Sequence, residues 1–307
     1  MPVTRDFTRR FLLASAAAIP VATAAGGVSA GAPMMGAGPA RFRRVTIGGF
    51  EVTTLLAATA KRPDPHSIFG LDVSAEEFGA VSAAANLPTD VAQFFFTPTV
   101  VNTGASLVLF DTGLDPEGIT GALGAAGYSP DQVDHVVITH MHGDHIGGLM
   151  QGDTPTFPNA DYTTTAAEYD HWAGAESARF DAKMRPLAER TRMIGDGASI
   201  APGITAMAAH GHTPGHTAYM LESAGERLLL AVDFANHYVW SLARPDWEVT
   251  FDMDKAQAAA TRKRMLAMLA DERIPFVGYH MPWPGIGYVE ATGAGYRYVP
   301  MSYQLML

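Results

Sequence analysis

The chain contains no cysteine. That excludes a disulfide framework, so stability has to come from a packed core. It also removes thiolate from any metal site, leaving imidazole nitrogen and carboxylate oxygen as the strong donors. Beyond the N-terminal segment, no apolar run approaches the ~20 residues that a membrane-spanning helix needs. Positive charge is scarce: 21 Lys and Arg stand against 31 Asp and Glu, for a formal charge of −10. A surface that acidic repels phosphate backbones and anionic headgroups, so neither a nucleic acid nor a membrane is expected as partner. What is present, 48% hydrophobic and 17% charged residues over 307 positions, suits a globular protein with a substantial core.

Residues 1–30 read as an export signal. Thr8-Arg9-Arg10-Phe11-Leu12-Leu13 sets paired arginines directly before an alanine-rich apolar stretch, and small-residue patterns follow at Ala22-Thr23-Ala24 and Val28-Ser29-Ala30. The arginine pair points to twin-arginine export, a route that carries folded proteins, and hence to a periplasmic address. Residues 31–41 are a Gly/Ala/Pro-rich flexible linker. Residues 42–307 read as one domain.

Within that domain, strand and helix patterns alternate. Arg44 to Ala58 alternates around Gly48-Gly49, a hairpin signal. Val73 to Ala85 reads as a helix, Gln93 to Val101 and Ala105 to Phe110 as strands, and Ser129-Pro130-Asp131-Gln132 as a helix start with capping-box spacing. Ala166 to Arg192 is helical in character. Strands are expected over Ile204–Ala209, Thr217–Leu221, Arg227–Val232 and Ile274–Gly278, and an amphipathic helix over Asp254–Asp271. This alternation predicts an α/β layered domain.

The segment richest in chemistry is His140-Met141-His142-Gly143-Asp144-His145, which follows the β-branched run Val136-Val137-Ile138-Thr139 and leads into Gly147-Gly148. Three imidazoles and a carboxylate within six positions exceed what one metal ion takes from one loop, so the segment looks built to feed two neighbouring ions. Three more candidates, His216, Asp233 and His280, stand at the ends of apolar strands, where layered α/β folds build their sites. Together these positions offer five His and two Asp, a count that fits two ions sharing one bridging carboxylate.

At these residues the chain resembles the metallo-β-lactamase superfamily, and within it methyl parathion hydrolase and related periplasmic lactonases. The likeness is carried by Val101-Asn102-Thr103-Gly104, by Thr139 through Met150, by Phe157-Pro158-Asn159-Ala160, and by His210-Gly211-His212-Thr213-Pro214-Gly215-His216-Thr217. Pro284-Gly285-Ile286-Gly287 and Gly295 through Pro300 add to it. The resemblance implies an αβ/βα sandwich, two mixed sheets flanked by helices, with the site at one edge. It gives one ion His140, His142 and His216, and the other Asp144, His145 and His280, with Asp233 between them; the ions are expected to be zinc. His212 is expected to be a supporting or surface histidine. The implied activity is hydrolysis of a neutral, ester-like small molecule by a metal-bridging hydroxide, with lactones (including acyl-homoserine lactones) and carboxyl esters favoured. Asp144 is a candidate to carry a proton to the leaving group. Trp172, Phe180, Tyr238 and Trp283 are candidates for the substrate pocket, whereas the run Phe94–Phe96 reads as core. After Asp111-Thr112-Gly113 the chain has Leu114-Asp115-Pro116 and no aromatic where an aryl-phosphate hydrolase would place one. Organophosphate triester hydrolysis is therefore the alternative rather than the leading expectation, and a non-catalytic metal-binding protein is a further one. The resemblance also implies a homodimer.

Overall fold

Two strands that the sequence runs together are separated by a proline. The computed structural model describes residues 38–293 and 295–302, so the signal expected at 1–30 and most of the 31–41 linker lie outside the described residues. The hairpin at Gly48-Gly49 is β1 (Phe42–Ile47) with β2 (Phe50–Leu55); β3 (Ala58–Pro63) follows, then α1 (Ala75–Ala84), capped by Ser74. The stretch expected as one strand over Gln93–Val101 divides into β4 (Val91–Phe96) and β5 (Thr99–Asn102). Pro98 has no N–H to give to a ladder, and at this point the chain changes partners. β4 pairs with β3 in a separate two-stranded ribbon, whereas β5 joins β2 and β6 (Leu107–Phe110).

The first half continues with α2 (Pro116–Ala125), β7 (His135–Val137), α3 (Gly143–Ile146), β8 (Met150–Gln151), β9 (Thr154–Pro155), β10 (Asp161–Thr165), α4 (Ala166–Gly174), α5 (Ala178–Lys183) and β11 (Thr191–Ile194). The capping box at Ser129–Gln132 forms, but it closes a three-residue 3-10 turn instead of a helix. The second half holds β12 (Ser199–Ala201), β13 (Ile204–Ala208), β14 (Thr217–Ser223), β15 (Glu226–Val232), α6 (Lys255–Glu272), β16 (Phe276–Gly278), β17 (Ile286–Ala291) and β18 (Tyr296–Pro300).

These strands make two seven-stranded mixed sheets, one in the order β1-β2-β5-β6-β7-β10-β11 and the other running from β12 to β18 in sequence order. Their facing sides interdigitate: Val52, Val101, Val108, Phe110 and Val137 of the first meet Ile204, Tyr219, Leu221, Leu228 and Leu230 of the second. The period of two along a strand explains why Leu107-Val108-Leu109-Phe110 is buried throughout. Val108 and Phe110 enter the inter-sheet core, while Leu107 and Leu109 pack outward on Ile119 and Leu123 of α2. Each such side chain contributes roughly 1.5–3 kcal/mol relative to exposure. On the far side, α6 covers the second sheet with Met265, Leu266 and Leu269. Helices therefore lie outside both sheets, as an αβ/βα sandwich requires.

The ribbon obeys the same period. Ala58, Ala60 and Arg62 pair with Phe96, Phe94 and Ala92 on one face; Thr59, Lys61 and Pro63 pair with Phe95, Gln93 and Val91 on the other. Five parallel-running strands, β6, β7, β10, β15 and β16, end at one rim, where Asp111, Thr139, Thr165, Asp233 and Tyr279 begin the loops described next.

Candidate metal centre

Two buried carboxylates shape this rim. Asp111, in a left-handed conformation (φ 60°) just past β6, accepts from Thr139 N at 2.9 Å and Thr139 Oγ1 at 2.7 Å. Its Oδ2 also takes the Nδ1 proton of His145 at 2.8 Å, so one side chain ties β6, β7 and α3 together. The two glycines after α3 make that closeness possible: a Cβ on Gly147 would lie 2.1 Å from Leu114 O, and one on Gly148 2.2 Å from Thr112 O. Glu168, fully buried on α4, joins the two ligand-bearing loops. Its Oε1 accepts from Met141 N at 2.8 Å and Trp172 Nε1 at 2.7 Å. Its Oε2 accepts from Thr213 Oγ1 at 2.7 Å and Gly215 N at 2.9 Å. At the end of β15, Val232 adopts φ 55°, a strained conformation for a β-branched residue, and the next residue is Asp233.

The result is two side-chain groups, His140 with His142 and His212, and Asp144 with His145, Asp233 and His280, each gathered within 4.8 Å. His142 Nδ1 faces His140 Nε2 at 3.2 Å and His212 Nε2 at 3.0 Å. Asp233 Oδ2 sits between the groups, 3.2 Å from His280 Nε2, 3.3 Å from His145 Nε2, 3.6 Å from His212 Nε2 and 3.9 Å from His140 Nε2. Asp144 Oδ2 approaches His280 Nε2 at 3.3 Å and His145 Nε2 at 3.7 Å.

Six of the seven ligand positions read from the sequence converge here; His216 does not. Its Nδ1–H donates to Ala209 O at 3.0 Å and its Nε2 accepts the Asp233 N–H at 3.1 Å, so both nitrogens are engaged away from the first group. Burial holds its pKa down at about 3, which keeps it neutral. His212 takes the place instead and is itself buried, so the supporting or surface role expected of it is corrected. Its Nδ1–H donates to Asp252 Oδ1 at 2.9 Å, and Asp252 Oδ2 receives Arg262 Nη2 at 2.6 Å. Burial would raise the Asp252 carboxyl, but the His212 and Arg262 hydrogen bonds outweigh it and lower its pKa. Asp111, Glu168, Asp252 and Arg262 gave no motif signal, since each acts through a partner distant in sequence.

The donor set fits divalent cations. The outer nitrogens of His145, His212 and His280 give their protons to Asp111, Asp252 and Phe95 O, which turns a lone pair of each ring inward. His145 Nε2 and Asp233 Oδ1 are buried without a hydrogen-bond partner, as atoms awaiting a metal would be. Without ions the charge is balanced by protons. Burial would lower His145 and His280, but neighbouring carboxylates outweigh it: Asp111, Asp144 and Asp233 raise His145 well above its usual value, and Asp233 and Asp144 raise His280 to about 10. Burial alone would raise Asp144 and Asp233, yet the same imidazoles hold both below the usual carboxylate range. The position of Asp144 Oδ2 beside the His145 and His280 nitrogens places it among the candidate ligands.

Over the centre lies a cavity of about 320 Å³ walled by Phe94, Phe96, Phe251 and Leu114, with Arg62 and Arg179 beside them. None of the four aromatics expected in the pocket lines it. Trp172 packs edge-on to His142 at 5.8 Å with its N–H on Glu168, a positioning role. Phe180 is completely buried in the core under α5. Tyr238 faces a second cavity of about 300 Å³ on the other face of the ribbon, and Trp283 is half-buried in the loop after β16, lining neither. Phe94 and Phe96 are buried in a core cluster with Phe69, Phe78 and Trp240, as expected, and they also line the cavity because β4 leaves the main sheet at Pro98.

Comparison with known proteins gives the family and the fold. Residues 97–277 match the metallo-beta-lactamase superfamily. An N-acyl homoserine lactonase of a Bacillus species is 25% identical over 168 residues, covering 54% of this chain and 63% of that protein. The N-acyl homoserine lactonase AttM of Agrobacterium fabrum is 27% identical over 135 residues, 39% of this chain and 48% of that protein. The chain thus spans less than two thirds of the length of these curated relatives. Among solved structures, AidC, a dizinc quorum-quenching lactonase in complex with a homoserine product, superposes with a TM-score of 0.80 at 24% identity, covering 85% of this chain and 98% of that one. The hydrolase AbOPH of the beta lactamase superfamily gives 0.80 at 24% identity, over 87% and 99%. At that identity the likeness establishes the fold.

Proposed function

The chain belongs to the metallo-beta-lactamase superfamily, and from that premise we propose that it is a two-metal hydrolase acting on lactones, N-acyl homoserine lactones among them, or on closely related carboxyl esters. The observation that carries this reading is the position of Asp233 Oδ2, within 3.9 Å of imidazoles from both groups, at the floor of a largely apolar cavity. His140, His142 and His212 would hold one ion, and Asp144, His145 and His280 the other, with Asp233 shared; mixed imidazole and carboxylate donors favour zinc. A bound pair of divalent ions supplies a water of lowered pKa and polarises a carbonyl oxygen.

The chain's own residues do the rest. Asp111 and Asp252 fix the tautomers and ring planes of His145 and His212, and Glu168 fixes the distance between their loops. Phe94, Phe96, Phe251 and Leu114 exclude bulk water from the acyl side and orient it by contact. Leu114 is the wall residue after Asp111-Thr112-Gly113, and an aliphatic wall there suits an acyl chain better than a stacked aryl leaving group. The test is metal analysis with a steady-state panel of an acyl-homoserine lactone, an aryl ester and paraoxon on zinc-reconstituted protein. Lactone turnover exceeding the other two is expected. Two ions bound with no turnover of any substrate would leave a metal-binding protein.

Export by a twin-arginine signal in residues 1–30 supports loading of the metals before secretion. With Arg9-Arg10 replaced by Lys-Lys, a full-length fusion is expected to stay in the cytoplasm, whereas unchanged export would refute that route.

A further inference from the structure

The cavity above the metal centre is lined by two cations, Arg62 and Arg179, that form no ion pair among the described residues. Arg62 is exposed on β3 and stands on the ribbon face of Phe94 and Phe96, with no ion-pair or hydrogen-bond partner among the described residues. Arg179, on α5, gives one N–H to Leu114 O at 2.7 Å and meets no carboxylate among the described residues. Its side chain lies across the loop that bears the ligands: a Cβ on Gly143 would meet Arg179 Cδ at 2.9 Å, so the glycine leaves room for it. Elsewhere on this surface Arg185, Arg227, Lys263 and Arg297 pair with Asp or Glu, whereas Arg190, Arg192 and Arg264 give their N–H groups to backbone carbonyls outside this cavity. Two guanidinium groups with no carboxylate partner among the described residues thus line one cavity, where a single anionic group would meet both. The acids that do line the cavity, Asp144 and Asp233, face the imidazoles. Burial lowers the Lys183 ammonium and Arg179 lowers it in the same direction, against the opposing pull of Asp115.

We propose that Arg62 and Arg179 select substrates whose acyl portion ends in an anionic group, a carboxylate being the type case. The neutral ester-like bond sits at the metal centre, the aliphatic stretch lies along Phe94, Phe96 and Phe251, and the anionic end meets the guanidinium forks at the mouth. Guanidinium recognises carboxylate through paired, planar hydrogen bonds that an ammonium cannot reproduce. The proposal rests on the hydrolase reading above and narrows its substrate class from a wholly neutral molecule to one charged away from the reacting bond.

The test uses two readouts. In the first, inert N-acyl cyclopentylamides with an ω-carboxylate or an isosteric ω-carboxamide are titrated calorimetrically into the zinc-loaded protein. The carboxylate analogue is expected to bind roughly tenfold tighter, with the preference shrinking as salt rises from about 0.05 to 0.5 M. In R62Q/R179Q the two analogues become equal, and R62E/R179E prefers an ω-ammonium analogue. In the second, the ratio of kcat/KM for the corresponding lactones follows the same order. Equal Kd values in the wild type overturn the proposal, as does a carboxylate preference that persists in R62Q/R179Q, which would assign the attraction to the metal ions. Because R62Q changes an exposed residue with no partner among those described, it is run alone as the variant least able to disturb folding; it should remove part of the preference. A protein that discriminates the inert analogues but hydrolyses no lactone keeps the recognition of an anionic end by Arg62 and Arg179 and removes the hydrolase reading.

Discussion

Replacing Glu168 by Gln should loosen the metal centre without touching a ligand. Each carboxylate oxygen accepts two hydrogen bonds, one pair from Met141 N and Trp172 Nε1 and the other from Thr213 Oγ1 and Gly215 N. The amide keeps one acceptor oxygen and turns an NH₂ group toward two donors in a fully buried site. Two hydrogen bonds to a charged acceptor are lost at about 1.5–3 kcal/mol each. Loop adjustment recovers part of this, for a net loss of about 4 kcal/mol. For a domain of this size that lowers Tm by about 8 °C. The ligand loops separate slightly, and zinc affinity should fall roughly 10- to 100-fold. Scanning calorimetry of chelator-treated protein isolates the first effect, and competition with a chromophoric chelator measures the second. An apo Tm within about 1 °C of wild type, together with unchanged zinc affinity, would refute the claim that this side chain holds the two loops together.

Three other outcomes follow from the site. His212→Ala should hold about one ion per chain under conditions where wild type holds two, while His216→Ala keeps two but loses roughly 2–4 kcal/mol of stability, because its ring supports the Asp233 backbone from a buried position; elemental analysis and urea unfolding separate them. Loading the apo protein with zinc at pH 8 should release protons, because the carboxylates raise His280 to about 10 and shift His145 in the same direction. Affinity should therefore rise with pH, and calorimetry in buffers of differing ionisation enthalpy should show it. His237, away from the centre, is held neutral by burial with a pKa of about 3, and its Nδ1 accepts from Val239 N and Trp240 N. Its contribution to stability is complete above the unfolded value near 6.5 and is lost as pH falls toward 3. Relative to His237→Asn, wild type should lose about 1.4 kcal/mol per pH unit across that window, a difference that urea titrations at pH 7 and pH 5 would reveal or deny.

The layered fold was legible because its strands carry their burial openly, as Leu107–Phe110 and Arg227–Val232 do. Helix α2 was not, since glycines at 118, 121 and 124 dilute the stripe of Ile119, Ala122 and Leu123 that packs it. Most of the metal cluster was legible too, because one loop concentrates His140, His142, Asp144 and His145. The choice between His212 and His216 was not. The two histidines share a loop, and what separates them is direction: His216 immediately precedes β14 and is turned by that strand, whereas His212 stands on the free arc where Asp252 can hold it. The pocket was the least readable part. Phe94 and Phe180 are both buried in core clusters, yet only Phe94 also reaches the cavity, because Pro98 diverts its strand β4 out of the sheet.

That diverted ribbon is a partition one strand thick. Phe94 and Phe96 face the chamber over the metals, while Phe95, with His237, Tyr238 and Trp240, faces a rear chamber, and His280 touches both. Because the Phe95 carbonyl holds His280 Nδ1 at 2.8 Å, a change of volume behind the partition moves the anchor of a metal-facing ring in front of it. Under the proposed hydrolase reading, substitutions at the back of the wall, at Gln93, Phe95 or Tyr238, are therefore expected to alter substrate range with every residue of the front chamber left as it is.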